Sequence, residues 1–142
     1  METVEIKSFS GQGYKALVSY GAWRAAVLRY LDEMQPNNIH RMERHTLTDE
    51  VFILTAGRAS LLIGGNQPNL SEIEIISMKT GDFYNVKQNT WHAVLMSPDA
   101  NIVIVENDDT SSENTEFHLL SNNHLQSLHR LAQEFYGNEK SI

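Results

Sequence analysis

Nine short segments rich in Val, Ile, Phe, Tyr and Trp constrain the fold of this chain more than any other feature. Turn-forming residues separate them, as in the stretches GGNQPN at 64–69 and KTGD at 79–82. Regularly spaced short strands with such turns are typical of all-β sandwiches and barrels. The predicted strands are residues 14–19, 23–30, 50–56, 58–63, 72–78, 82–86, 91–96, 102–106 and 116–120.

One helix is predicted after the last strand, over about residues 122–136. Its apolar residues fall on one helical face: Leu125, Leu128, Ala132 and Phe135. Asn123 is the predicted start and Gly137 the predicted stop. The polar segment 107–116 is predicted to be an exposed loop. The 142 residues thus predict a single domain over 1–142, with a barrel at about 14–120 and a helix that packs on the barrel or on a second subunit.

Composition excludes several classes of function. Eleven Lys and Arg against 18 Asp and Glu give a net charge of −7, which disfavours nucleic acid as a partner. The chain has no cysteine, so disulfides and thiolate metal sites are excluded.

The longest aliphatic or aromatic runs, such as 51–54, have four residues, and the N-terminus lacks a signal-peptide pattern. We therefore expect no membrane span and a cytoplasmic location.

Two stretches combine strand signals with residues that bind metals. In the first, at 44–57, His45 precedes Glu50, and Glu50 leads into a strand that Gly57 closes. In the second, at 81–92, Gly81 begins a turn and an extended segment, and His92 opens an apolar strand. Side chains alternate between the two faces of a strand, so Glu50 shares a face with Phe52 and Leu54. A carboxylate or imidazole on a core face is costly unless it is paired or binds a metal.

These stretches resemble the paired motifs of the cupin superfamily, in its RmlC-like form. His45, Glu50 and Gly57 match the later part of the first motif, and Gly81 and His92 match the ends of the second. The resemblance implies an all-β, cupin-type double-stranded β-helix (jelly-roll) barrel, here followed by one C-terminal helix. It also implies one divalent metal ion held by His45, Glu50 and His92. Two imidazoles and one carboxylate with open positions are likewise the ligands of mononuclear non-haem iron.

The chain departs from the family pattern at three positions. Glu43 replaces the first histidine, and Lys87 and Asn89 replace a proline and a glycine. Glu43 is either a fourth ligand, which would favour Mn²⁺ or Fe²⁺ over Zn²⁺ or Ni²⁺, or a general base that faces the substrate. Asn89 tolerates left-handed backbone geometry and is expected to preserve the turn.

The remaining candidate residues are expected to be structural. Four histidines lack the spacing of ligand pairs: His40, His118, His124 and His129. Four aromatic residues are expected in the core: Trp23, Tyr30, Tyr84 and Trp91. Three arginines are expected to form surface ion pairs: Arg29, Arg41 and Arg44.

The expected function is a metal-dependent enzyme that acts on a small molecule, of dioxygenase, isomerase or lyase type. A non-catalytic module that binds or senses a small molecule or a metal is the alternative, and a dimerisation domain with a vestigial site is a third reading. A homodimer is expected from the resemblance alone.

Overall fold

Two antiparallel five-stranded sheets form the body of the protein. The computed structural model describes residues 3–137. The strands are β1 (Gly13–Tyr20), β2 (Trp23–Arg29), β3 (Arg41–His45), β4 (Glu50–Ala56), β5 (Ala59–Ile63), β6 (Glu74–Ser77), β7 (Phe83–Val86), β8 (His92–Met96), β9 (Asn101–Asn107) and β10 (Thr115–Leu119). Sheet I has the order β1-β2-β9-β4-β7, and sheet II has the order β10-β3-β8-β5-β6. A single α-helix, α1 (Asn122–Gly137), follows. The predicted all-β jelly roll with one C-terminal helix is confirmed.

Strand β3 is the element that the predicted strands omit. Four of its five residues, Arg41–His45, are charged or polar, and Met42 is its one apolar residue. The inner face of β3 carries Glu43 and His45, so hydrophobic alternation does not reveal the strand. Short 3₁₀ helices at Asp32–Met34 and Pro36–Asn38 precede it, and another at Ser112–Asn114 interrupts the predicted loop before β10.

Two apolar layers hold the fold together. The first lies between the sheets and includes Phe52, Leu54 and Ile102. The second lies between the outer face of sheet II and α1, where Leu128, Ala132 and Phe135 pack against a set that includes Met42, Leu62, Trp91 and Leu95. The apolar stripe of the helix therefore covers the barrel.

The helix begins at Asn122, the start of the predicted range 122–136 and one residue before the start signal Asn123. Ser121 caps it, because its hydroxyl oxygen accepts the backbone N–H of His124 at 3.2 Å. Within residues 3–137 no helix is long and apolar enough to cross a membrane.

Two turns fix the ends of the strands that carry the motifs. Gly57 has φ +71°, and a Cβ there would lie 2.5 Å from Ala100 Cα, so only glycine fits. Asn89 adopts φ 67°, the left-handed geometry expected of it. Its backbone N–H donates to the carbonyl of His45 at 2.9 Å, which ties the second motif to the first.

Candidate metal centre

Three side chains from the two motifs meet inside the barrel. His45 on β3 and His92 on β8 project from sheet II, and Glu50 on β4 projects from sheet I. Glu50 Oε1 lies 3.2 Å from His45 Nε2 and 3.0 Å from His92 Nε2. All three residues are at most 8% exposed, so the motifs converge on one buried point.

The close approach of these atoms does not have the geometry of hydrogen bonds. His45 Nε2, His92 Nε2 and Glu50 Oε1 are buried, and none has a hydrogen-bond partner among the described residues. Their lone pairs converge on a common volume instead. Adjacent ligands of an ion with bonds of about 2.1 Å stand roughly 3.0 Å apart in octahedral geometry. The spacing and the buried atoms therefore fit a divalent metal ion between the three side chains.

Both imidazole rings are oriented by their other nitrogen. His92 Nδ1 donates to the carbonyl of Thr90 at 2.9 Å, which leaves Nε2 as the lone-pair nitrogen of the neutral ring. His45 Nδ1 lies 2.9 Å from Thr115 Oγ1, a residue directly opposite His45 on β10. Partners of this kind fix the tautomer and direction of metal-binding histidines.

The electrostatics of the three residues favour positive charge at their centre. Burial alone lowers the pKa of His45 and of His92, but the nearby Glu50 carboxylate outweighs burial and raises both pKa values. Burial in turn raises the pKa of Glu50, whereas the two histidines hold it well below its ordinary value. The buried carboxylate thus attracts either protons onto the imidazoles or a cation between them.

Glu43 on β3 lies beside the two histidines, and ligand atoms of Glu43, His45 and His92 lie within 4.8 Å of one another. It is directly opposite His92 in the β3–β8 pairing. Its Oε1 is 3.8 Å from His45 Nε2 and 3.9 Å from His92 Nε2, and its side chain is 43% exposed. Glu43 therefore borders both the histidines and the open space next to them.

The sequence analysis missed a second buried carboxylate, Glu106 on β9. Its Oε1 accepts from Tyr14 Oη at 2.8 Å and from Arg24 Nη2 at 2.9 Å. Burial and the charge of Glu50 raise its pKa to about 7, against the opposing effects of Tyr14 and Arg24. The alternation Ile102, Ile104, Glu106 was a signal, since it places Glu106 on the core face.

A cavity of about 650 Å³ opens next to the centre. Its volume falls within the range of small-molecule sites. Its lining includes the five centre residues just described and an apolar wall: Leu28, Met34, Phe52, Val94 and Ile104. Arg41 and Phe117 also line it, with the Arg41 guanidinium 3.9 Å from the Phe117 ring centre.

The other histidines and aromatic residues divide between core, cavity and surface. Trp91 is 2% exposed and lies in the core as expected, whereas Trp23 is 45% exposed and does not. Tyr30 and Tyr84 pack, partly buried, against the inner core. His40 lines the cavity. His118 packs edge-on against Trp91, His124 caps α1 and His129 is exposed.

The three arginines have different roles. Arg44 forms an ion pair with Glu116 at 3.2 Å and stacks on Trp91. Arg29 donates to the Gly11 carbonyl and to Asn101 and makes no ion pair among the described residues, so the expected surface ion pair is wrong for it. Arg41 makes no ion pair among the described residues and lines the cavity, so the expectation of a surface ion pair does not describe it.

Comparison with known proteins supports the fold. No protein-family model and no curated protein sequence matches this chain. Among solved structures, the Streptomyces nucleoside dehydratase Pac13 superimposes with a TM-score of 0.52 at 10% identity, covering 81% of this chain and 87% of Pac13. The Fe(II) form of HppE has a TM-score of 0.51 at 16% identity, covering 66% of this chain and 48% of HppE.

Both proteins are cupin-fold enzymes. A cupin-2 domain protein from Shewanella frigidimarina is also similar, at 15% identity and a TM-score of 0.49, covering 68% of this chain and 82% of that protein. At these identities the likeness concerns the fold and not the reaction. This chain has the cupin fold.

Proposed function

We propose that this protein is a metal-dependent enzyme that holds one divalent ion through His45, Glu50 and His92 and acts on a small molecule bound in the adjoining cavity. One observation carries the proposal. Three buried ligand atoms from two sheets converge at 3.0–3.2 Å without hydrogen-bond partners. Such groups are costly to bury unless a ligand satisfies them.

The donor set favours particular metals. Two imidazoles with one carboxylate and open positions suit Fe²⁺ and Mn²⁺, and imidazoles also accommodate Zn²⁺ and Ni²⁺. An ion held by His45, Glu50 and His92 would supply Lewis-acid polarisation of a substrate oxygen atom. Support from comparison is limited to the neighbours themselves: HppE was solved with Fe(II), and Pac13 was solved with uridine.

The protein's own residues would position the substrate and move a proton. The apolar wall excludes water from one side of the cavity, and this strengthens electrostatic interactions there. Unlike the buried Glu50 and Glu106, Glu43 is partly exposed, and it borders both the histidines and the cavity. We assign it the role of general base toward the substrate.

Metal analysis of protein purified without chelator tests the site. Wild-type protein and the variant His129→Ala, which changes an exposed helical histidine, are expected to carry about one equivalent of metal. His92→Ala is expected to carry almost none. Wild-type protein without bound metal, or a His92→Ala variant with undiminished metal, would refute the site and leave a vestigial barrel as the better description.

Turnover then separates an enzyme from a binding module. Protein reconstituted with Fe²⁺ or Mn²⁺ is assayed for oxygen consumption and for conversion of a small-molecule panel, with Glu43→Gln as the matched variant. Enzymatic turnover that falls at least tenfold in Glu43→Gln, with metal content retained, supports the general-base role. Binding of a small molecule without turnover in either protein supports the non-catalytic alternative.

A homodimer and a cytoplasmic location stay predictions. The homodimer has some support on the outer face of sheet I, which α1 does not cover. Trp23 and Phe83 on that face are 45% and 75% exposed, and Val51, Ile53, Val103 and Val105 lie between them in the strand pairing. Light scattering of the purified protein measures the oligomeric state directly.

A further inference from the structure

A row of charged side chains crosses the inner face of sheet I. Arg24 on β2 stands directly opposite Glu106 on β9. The pairing of Val51 with Val105 places Glu50 on β4 next to Glu106 on its other side. Two carboxylates that are direct cross-strand neighbours repel each other. Arg24 supplies the one guanidinium of this row for the two carboxylates, Glu50 and Glu106.

One oxygen of Glu106 is held rigidly. Oε1 accepts hydrogen bonds from Tyr14 Oη and Arg24 Nη2, and the side chains of Arg24 and Glu106 are only 17% and 3% exposed. Arg24 is fixed in turn, because it also donates to Tyr14 Oη at 2.9 Å and to the carbonyls of Asp108 and Thr110 at 3.0 and 3.1 Å. These bonds fix the direction in which the other oxygen points.

The other oxygen of Glu106 is buried and unsatisfied. Oε2 has no hydrogen-bond partner among the described residues. Ligand atoms of His45, Glu50 and Glu106 all lie within 4.8 Å of one another, and all three residues are buried. A carboxylate oxygen in this position lacks a cation on the side that faces Glu50.

Glu43 is the competing carboxylate, and its surroundings differ. Its side chain is 43% exposed, and no hydrogen bond within residues 3–137 orients it. Its Oε1 is 3.8–3.9 Å from the histidine Nε2 atoms, and Glu43, His45 and His92 form a second set of ligand atoms within 4.8 Å of one another. Water can satisfy an exposed carboxylate, whereas it does not reach Glu106 Oε2.

We propose that Glu106 is the second carboxylate ligand of the metal centre, binding through Oε2 while Arg24 and Tyr14 hold Oε1, and that Glu43 stays outside the coordination sphere. This inference rests on the proposed metal site. The centre then has two histidines and two buried carboxylates, a set that favours harder ions such as Mn²⁺ and Fe²⁺ over Zn²⁺.

A crystal structure of the full chain loaded with Mn²⁺ tests the assignment directly. The expected result is one anomalous peak with Glu50 and Glu106 oxygens each at about 2.0–2.3 Å, the range for a hard divalent ion. A peak bound by His45, His92, Glu50 and Glu43, with Glu106 beyond bonding distance, would overturn the inference and leave the metal site intact. No Mn²⁺ peak, together with no Mn²⁺ binding in solution, would instead remove the proposed site itself.

Calorimetric titration with Mn²⁺ provides the solution readout. Glu106→Gln is expected to lower the affinity more than tenfold, whereas Glu43→Gln lowers it less than threefold. The reverse order would contradict the inference.

Because Glu106→Gln leaves Arg24 without its partner, Tyr14→Phe serves as a second variant. It keeps the carboxylate and removes one orienting hydrogen bond, and it is expected to weaken Mn²⁺ binding two- to tenfold. Unchanged affinity in both Glu106→Gln and Tyr14→Phe would overturn the assignment.

Discussion

The two ends of the barrel interior are chemically opposite, although on β4, β8 and β9 their side chains are buried to a similar degree. At one end the inner faces of four strands, β2, β4, β8 and β9, carry polar groups: Arg24, Glu50, His92 and Glu106. At the other end the same faces of the same strands carry apolar groups: Leu28, Leu54, Met96 and Ile102. Glu50, His92 and Glu106 are 6%, 3% and 5% exposed, and Leu54, Met96 and Ile102 are 2%, 0% and 0% exposed. Burial alone therefore does not distinguish the ends.

The chemical difference between the two ends implies that the apolar end of each strand contributes to stability and the polar end to ligand binding. Burying a large apolar side chain stabilises a fold by about 1.5–3 kcal/mol. Burying a polar group without a partner costs about 1–3 kcal/mol. The apolar end therefore stabilises the barrel, and the polar end gains its full stability only when a ligand satisfies its atoms. Leu54→Ala and metal binding test that division, and substitutions in the turn before His92 follow with smaller expected effects.

Leu54→Ala is expected to lower the free energy of unfolding by about 2–5 kcal/mol, because it leaves a cavity in the apolar end. Leu47→Ala is the control, since Leu47 is 59% exposed and is expected to change stability by less than about 0.5 kcal/mol. Urea denaturation measures both. Equal losses in the two variants would show that the apolar end is not tightly packed.

Metal is expected to stabilise the polar end alone. At a free metal concentration of one hundred times the dissociation constant, the wild-type protein gains about 2.7 kcal/mol. Leu54→Ala, whose ligands are intact, is expected to gain a similar amount, and His92→Ala is expected to gain none. Thermal unfolding with metal and then with chelator measures the gain. Equal stabilisation of His92→Ala would place metal binding elsewhere in the chain.

The fold was predictable wherever core positions are apolar. The nine predicted strands correspond to nine of the ten observed ones, and the apolar stripe predicted α1. Strand β3 was not predictable by the same rule, since Arg41, Glu43, Arg44 and His45 give no hydrophobic alternation. The candidate site residues Glu43 and His45 occupy inner positions of β3 that would otherwise be apolar, and this removes the hydrophobic alternation of the strand.

The candidate site could be proposed from the sequence only where its residues lie within motifs. His45, Glu50 and His92 follow a spacing that a single sequence displays. Glu106 is one of 18 acidic residues and follows no motif. Its proximity to Glu50 depends on the register of β9 against β4, and its partner Arg24 comes from a third strand. Relations of this kind follow from the strand order and not from local sequence.

Substitution of Asn89 tests whether the left-handed backbone geometry in the second motif depends on the residue type at this position. Asn89→Val is expected to lower the free energy of unfolding by about 1–2 kcal/mol, because a β-branched residue is strained at the φ of 67°. Asn89→Gly is the matched control and is expected to stay within about 0.5 kcal/mol of the wild-type protein, since glycine adopts this geometry freely. Equal destabilisation by both variants would mean that the Asn89 side chain, and not its backbone, is required.

Lys87, the other departure in the second motif, is expected to have the smallest effect. Its Nζ lies 3.0 Å from Asp49 Oδ2, but the side chains of Lys87 and Asp49 are 74% and 36% exposed. Exposed pairs of this kind contribute little, so Lys87→Ala is expected to lower the free energy of unfolding by less than about 0.5 kcal/mol.

Asp49→Ala is the matched comparison for Lys87→Ala. It is expected to lower the free energy of unfolding by about 1 kcal/mol. Asp49 also accepts the backbone N–H of Gln88 at 2.8 Å and the side-chain amide of Asn85 at 3.1 Å. The Gln88 bond, followed by Lys87, holds the pKa of Asp49 below its usual value. Asp49 therefore fastens the start of β4, which carries Glu50, to the turn that leads to His92, and Lys87 adds little to that connection. A larger loss in Lys87→Ala than in Asp49→Ala, measured by urea denaturation, would reverse this ranking and make the ion pair the main link between the two motifs.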